Sequence, residues 1–213
     1  MENKLKAKDW WKRISRRSDM TGTVTHLTKE AKIDGKDLSA LEVLVKILKD
    51  KKLKGSTTES GFIVGSRRAV CFQETPLYSL SENIIYEEEL EEKSKNPKVR
   101  YRPFGLSFDK QYIYEKGGRP VIYDKTREAK EYLPSNQYWR IVPYDLSDDD
   151  KIIDWTHERE WRVPDNVKFT LNMISVIVES YDDYKELKQM CKEENIKLDD
   201  VSSIIVLDDI LFG

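Results

Sequence analysis

Short runs rich in β-branched and aromatic residues, each closed by a polar turn, recur along the whole chain, and they constrain the fold more than any other feature. Thr21–Thr28 (TGTVTHLT) reads as a strand ending near His26. Arg68–Phe72, Arg102–Phe108, Pro120–Tyr123, Tyr138–Val142, Trp155–Val163, Ile174–Glu179 and Ser203–Leu207 follow in the same style. Runs of this length, bounded by Gly, Pro, Asn and Asp, are the pattern of strands. Helical spacing shows clearly in two places. Leu41, Leu44, Val45, Ile47 and Leu48 lie on one face of Leu38–Leu53, with Ser39 or Asp37 as cap, and a Lys/Glu-rich helix covers Asp182–Glu194.

Only the last two strands are joined by a full helical crossover, so the expected architecture is α+β. It is a mixed, mostly antiparallel sheet with flanking helices, in one domain over residues 1–213. Asp109–Lys116 reads as a helical turn between strands, and the Glu-rich Asn83–Lys98 as an exposed helix or a solvated loop.

The chain is 38% hydrophobic and 36% charged, so a densely ionic surface must enclose a few apolar runs. Its 37 basic and 39 acidic side chains leave a net charge of −2, which argues against a surface built throughout to neutralise phosphate. Cys71 and Cys191 are far apart and form no CxxC pair, the pattern of two buried thiols in a reducing compartment. Met1–Lys8 lacks the apolar core of a secretion signal and no stretch approaches the ~20 apolar residues of a membrane span, so a soluble, cytoplasmic protein without a membrane partner is expected.

The first twenty residues are a basic lead-in helix in which Lys4, Lys6, Lys8, Lys12, Arg13, Arg16 and Arg17 surround Trp10 and Trp11. Docking of the two tryptophans on the core is the favoured reading, and a phosphate or nucleic-acid contact the other. There is no Walker A loop, GxGxxG after a strand, GxSxG elbow or HExxH helix, and His26 and His157 are the only histidines, so no His-rich metal centre arises.

Two places can carry chemistry. His26, between Thr25 and Thr28 at a strand end, is placed to contact a ligand, or else bonds a nearby carbonyl from a half-buried position. In Glu158-Arg159-Glu160-Trp161-Arg162, a strand would put Glu158 and Glu160 on one face as paired carboxylates, with Arg159 and Trp161 facing the other way. The alternative is a charged edge strand. A carboxylate nuclease using Asp109, Asp124 and Glu160 is a third reading, with no motif behind it.

Thr25-His26-Leu27-Thr28, the helix with Leu44, Ile47 and Leu48, and Leu53-Lys54-Gly55 resemble the opening of the DarT and RNA 2′-phosphotransferase branch of ADP-ribosyltransferases. Val70–Leu77 (VCFQETPL), Phe104–Lys110 (FGLSFDK), Arg119–Tyr123 (RPVIY) and Glu158–Arg162 (EREWR) resemble the AbiGi-type abortive-infection family of phage resistance. The resemblance implies an ADP-ribosyltransferase-like fold acting on NAD, with a nucleic acid or a protein as acceptor. It implies that His26 and Thr28 hold the ribose, that Phe72 or Tyr123 lies against a base, and that Arg68 or Arg162 is near the pyrophosphate. Glu160 would stabilise the cationic sugar and Glu158 would orient or deprotonate the acceptor. The middle-strand residue of that pattern is nominated from Tyr101, Ser107 or Tyr123. The same resemblance admits a non-catalytic antitoxin or regulatory module with a cognate toxin or antitoxin partner.

Overall fold

The computed structural model describes residues 5–61, 63–93 and 99–211. In it the short runs assemble into one seven-stranded sheet from β1 (Thr23–Leu27), β2 (Ala69–Gln73), β3 (Gly105–Asp109), β4 (Arg119–Pro120), β5 (Glu160–Pro164), β6 (Ile174–Val178) and β7 (Ser203–Val206), in the order β7-β6-β3-β1-β2-β5-β4. Every neighbouring pair is antiparallel except β6 and β7. That exception follows from connectivity, since a parallel pair needs a crossover, and here the crossover is the helix Tyr181–Glu193. The other helices are α1 (Ala7–Ile14), α2 (Ala40–Asp50), α3 (Leu77–Lys93), α4 (Lys110–Glu115), α5 (Thr126–Tyr132) and α7 (Asp208–Leu211), the crossover helix being α6. Among the described residues no helix is long and apolar enough to cross a membrane.

Helix α2 starts at Ser39. The Ser39 hydroxyl accepts from the Glu42 N–H, and the Glu42 carboxylate accepts from the Ser39 N–H at 2.7 Å, satisfying two of the donors that every helix start leaves open. Its apolar stripe, Leu41, Leu44, Val45 and Leu48, packs with α6 on the sheet face that carries Val24, Phe72, Phe108, Trp161 and Val176. The opposite face is covered differently. Near β6 and β7, Leu80 and Ile84 of α3 and Leu207, between β7 and α7, cluster with Ile177. Near β2, Trp139 and Ile63 cover Ala69. Between these two apolar patches the face is polar.

Several elements differ from expectation. Tyr138–Val142 is a 3-10 turn over Ser135–Arg140 leading into a three-residue strand, Ile141–Pro143, because Trp139 is buried and its indole N–H closes the turn on the Asn136 carbonyl at 2.9 Å. The Pro120–Tyr123 run is split. Pro120 pairs with β5, while Ile122–Asp124 runs parallel to Ile141–Pro143. Trp155–Val163 begins as a 3-10 turn, Thr156–Glu158, and becomes a strand only at Glu160. The Glu-rich segment is helical from Leu77, its end over residues 94–98 lying outside the described residues, as do residues 1–4 of the basic lead-in.

Gly105 sits where β1 and β3 approach closely. A Cβ there would lie 2.4 Å from the His26 carbonyl oxygen, a backbone atom that cannot step aside alone. Gly105→Ala is therefore expected to destabilise the fold by about 1–3 kcal/mol, read as a lower urea midpoint with an unchanged slope.

Candidate active site on the polar face

Pairing register decides which side chains meet. Ser175, Ser107, Thr25, Gln73 and Glu160 are successive cross-strand partners on β6, β3, β1, β2 and β5. Partners across a ladder share a face, so these five form one polar row across the sheet. One level along, Cys71 stands opposite Arg162. Phe72 and Trp161 point to the other side, into the apolar core.

Burial of charge in this row is met by pairing. Arg162 is 3% exposed and Glu160 7%. The guanidinium forks the Glu160 carboxylate, Nε to Oε1 at 2.7 Å and Nη2 to Oε2 at 3.2 Å, and Nη1 donates to the carbonyls of Trp139 and Ile141 at 2.9 and 3.1 Å. The unexpected 3-10 turn thus serves to present two carbonyl acceptors to the buried cation. The Glu160 N–H donates to the Tyr123 hydroxyl at 2.7 Å, and burial pushes that phenol up to about 12. Burial, then the Glu160 carboxylate, holds the Cys71 thiol well above its ordinary value.

Glu158 is delivered by backbone geometry. Arg159 adopts a left-handed conformation (φ 47°), and the Glu74 N–H is shared between the carbonyls of Glu158 and Arg159 at 3.2 and 3.3 Å. Such a φ is uncommon for a residue with a Cβ. Half-buried, the Glu158 carboxyl has no hydrogen-bond partner among the described residues. Burial first, then the negative charge of Glu160, pushes it up to about 8, against the opposing pull of Arg100. Arg100 is itself engaged, paired with Glu87 and stacked 4.2 Å from the Trp155 ring. Tyr101, next in the chain, is 8% exposed and hydrogen-bonded to Gln73, its hydroxyl pushed upward mainly by burial.

A carboxyl that is protonated in the folded state and ionised in the unfolded one makes the fold bind more protons. Its contribution to stability is complete below the unfolded value near 4.5 and is lost as pH rises through about 8. Glu158→Gln, which cannot ionise, is expected to flatten the decline of melting temperature between pH 5 and 8 and to match or exceed the wild-type melting temperature at about pH 8.5. An unchanged pH slope would show that Glu158 ionises freely.

The eight candidate residues therefore do not converge. Glu158, Glu160, Arg162 and Tyr123 share the polar face. His26 belongs to the other face, opposite Leu106, its ring edge-on to Phe72 at 5.8 Å. Its Nδ1 is 2.8 Å from the Cys71 carbonyl, and because a carbonyl only accepts, Nδ1 carries the proton. Burial lowers its pKa. With the sheet between them, His26 and Glu160 cannot hold one ribose. The Thr28 hydroxyl is buried between the carbonyls of Ala40 and Phe104, at 2.9 and 3.1 Å, tying the end of β1 to the start of α2. Phe72 is 1% exposed and offers no ring face to a base. Arg68 is exposed ahead of β2, whose far end carries Gln73, and the Arg162 guanidinium is committed to Glu160 and two carbonyls, so neither is set out for a pyrophosphate.

Of the middle-strand nominees, Tyr101 and Tyr123 border the carboxylates and Ser107 lies in the row. Asp109 accepts from the Gln111 N–H and Asp124 from the Tyr132 hydroxyl. Among the described residues no three His, Cys, Asp or Glu side chains gather as metal ligands, which removes the three-carboxylate arrangement. Glu74 is engaged too, by buried Lys110 and the Trp161 indole N–H. Gln73 and Arg100 are site residues that sequence patterns do not single out. The signal for Gln73 is a polar residue in step with Cys71 on an otherwise apolar strand. A cleft of about 450 Å³ between the C-terminal ends of α2 and α6, lined by Lys49, Lys51, Glu194 and Lys197, shares no residue with the polar face.

Set against family models, curated proteins and solved structures, the chain matches none of them.

Proposed function

We propose that the protein is a cytoplasmic phage-defence enzyme, an ADP-ribosyltransferase-like fold that cleaves the nicotinamide glycosidic bond of NAD at Glu158 and Glu160 and passes ADP-ribose to an acceptor. The observation that carries this reading is the pair of carboxyls with divergent environments, Glu160 forked by Arg162 and Glu158 pushed up to about 8. Neighbouring carboxyls set apart in this way are the means by which one site supplies an anion and a proton acceptor near neutral pH. The transferase-like opening, Thr25–Thr28, supplies the substrate class, and the AbiGi-like segments, which contribute Gln73, Tyr123, Glu158 and Glu160, supply the phage-defence setting.

The roles follow from chemistry. The nicotinamide ring nitrogen, positively charged in NAD, takes the bonding electron pair as the glycosidic bond breaks, becomes neutral and leaves without a proton. Glu160, fixed by Arg162, faces the positive charge that grows on the ribose. Glu158 in its ionised form takes the proton from the acceptor as the new bond to the ribose carbon forms. Tyr123 and Tyr101 flank the carboxylates and shield them from water. Among the described residues no uncommitted cation stands on this face for the pyrophosphate, so the ribose end of the nucleotide is the part that the residues fit. Purified protein incubated with NAD, nucleic acids and lysate, with nicotinamide release and label transfer followed for wild type and Glu158→Gln, tests the proposal. Release or transfer that disappears in the variant supports it, and activity unchanged by the substitution rejects it.

A second reading has its own observation. Both Glu160 oxygens are already engaged by Arg162, as in an ion pair that only builds the fold. That suits an antitoxin or regulatory module that retains the sheet without turnover, working through a cognate partner, and it predicts no nicotinamide release under any condition.

A further inference from the structure

Helix α1 divides its residues sharply. Ile14 is 4% exposed and Trp10 is half-buried, its ring 5.8 Å from the Lys110 ammonium. The Trp11 ring lies against Gly22 so closely that a Cβ there would fall within it, yet the residue as a whole is 38% exposed. On the outer side Lys6, Lys8, Lys12, Arg13 and Arg16 are exposed, and none has a salt-bridge partner among the described residues. In a chain of net charge −2 this is a concentrated exception.

The two sides together select a partner. An amphipathic helix that enters a bilayer interface must offer it an apolar face, and here that face is already spent on the protein, with Ile14 and Trp10 turned inward. What remains outside is a row of exposed cations, interrupted by Asp9, beside the partly exposed Trp11 indole. Cations that track a phosphate backbone beside an aromatic ring on which an unpaired base can stack are the elements of single-strand recognition. The segment just past α1 is tied to the turn before β5, the Arg159 guanidinium donating to the carbonyl of Asp19.

We propose that α1 and the Arg16–Arg17 segment after it are a docking strip for a single-stranded nucleic acid, with phosphates against Lys8, Lys12, Arg13 and Arg16 and a base against Trp11. The strip binds whether or not the chemistry at Glu158 is as read above. Only the step from bound strand to ADP-ribose acceptor rests on that reading.

The test is fluorescence anisotropy with labelled mixed-sequence single strands of DNA and RNA, about 12 nucleotides long, using the full chain between about 50 and 200 mM salt. Four phosphate contacts give a log–log salt slope of about −3. The combined Lys12→Glu, Arg13→Glu, Arg16→Glu variant is expected to lose at least about 100-fold in affinity, and Trp11→Ala about tenfold. Glu158→Gln binds as wild type, so loss of turnover and loss of docking are read separately. The milder Lys12→Gln, Arg13→Gln pair, checked by circular dichroism, keeps the test valid if charge reversal disturbs α1. Binding of either strand type with these losses supports the strip. Absence of binding, affinity unchanged in the variants, or tighter binding of duplex or of phosphatidylserine vesicles overturns it.

Discussion

Arg162→Ala is expected to lower the melting temperature by roughly 10 °C. The substitution leaves the Glu160 carboxylate in a site only 7% exposed with its cation gone, and it strips the Trp139 and Ile141 carbonyls of their donor. Removing one partner of a buried ion pair costs about 3–5 kcal/mol, because the remaining charge is neither solvated nor neutralised. At roughly 2–4 °C per kcal/mol for a chain of this size, that is a drop no surface substitution approaches. The double variant Glu160→Leu, Arg162→Met separates causes. With no charge left behind, the part of the loss that comes from the stranded carboxylate is recovered, and what remains reflects the Trp139 and Ile141 carbonyls, which lack their donor in both variants. If Arg162→Ala melts within a degree or two of wild type, the pair is solvated in solution and its burial does not matter to the fold.

Glu158→Gln is expected to reduce NAD turnover by about 10²- to 10⁴-fold, the range of a positioned general base, while leaving the fold intact. The amide keeps the shape of the side chain and removes only its proton-accepting capacity. The wild-type rate has a defined pH signature. With Glu158 near 8, the ionised base is a minority below that value, so the rate rises about tenfold per pH unit toward 8 and levels off above it. In the variant the residual rate loses that rise. Paired with the flatter stability profile expected of the same substitution, the result has a double signature: a protein that holds up better at alkaline pH and works far less. A positional role without proton transfer would lower the rate and leave the shape of the pH profile unchanged.

The sequence is most legible where period and boundary signals coincide. Helix α2 shows its apolar stripe and its Ser39 cap together, and the terminal Ile174–Val178, α6, Ser203–Val206 unit combines two short apolar runs with a crossover long enough to make them parallel. Tyr138–Val142 reads as one strand but is extended only from Ile141, because aromatic and branched residues serve a buried 3-10 turn equally well, and only the pocket around Trp139 chooses between them. The turn at Glu158 is hidden for a different reason. Arg159 takes a left-handed backbone with no Gly or Asn to announce it, so Glu158 looks like a strand residue two places before Glu160. The face occupied by His26 is equally out of reach. Alternation fixes the sides of residues within one strand, but the relation between β1 and β5 depends on registers through β2 that no local pattern encodes. The carboxylates are legible as a cluster, whereas the Trp139 and Ile141 carbonyls that make their burial tolerable arrive only through tertiary structure.

The polar face is closed by a strand that comes late in the chain. Trp161 reaches Glu74 across 87 residues, and until β5 is made, the outer edge of β2 has no ladder partner. At a synthesis rate of about 5–20 residues per second, that edge waits several seconds on the ribosome, and closing so long a loop is among the slower events in assembling the sheet. Glu158 and Glu160 belong to the arriving piece, and Arg162 comes with them. A nascent or truncated chain lacking that segment has a hydrophobic layer but no acid pair, so any chemistry at these carboxylates is withheld from the cell until the strand that completes the sheet has been inserted.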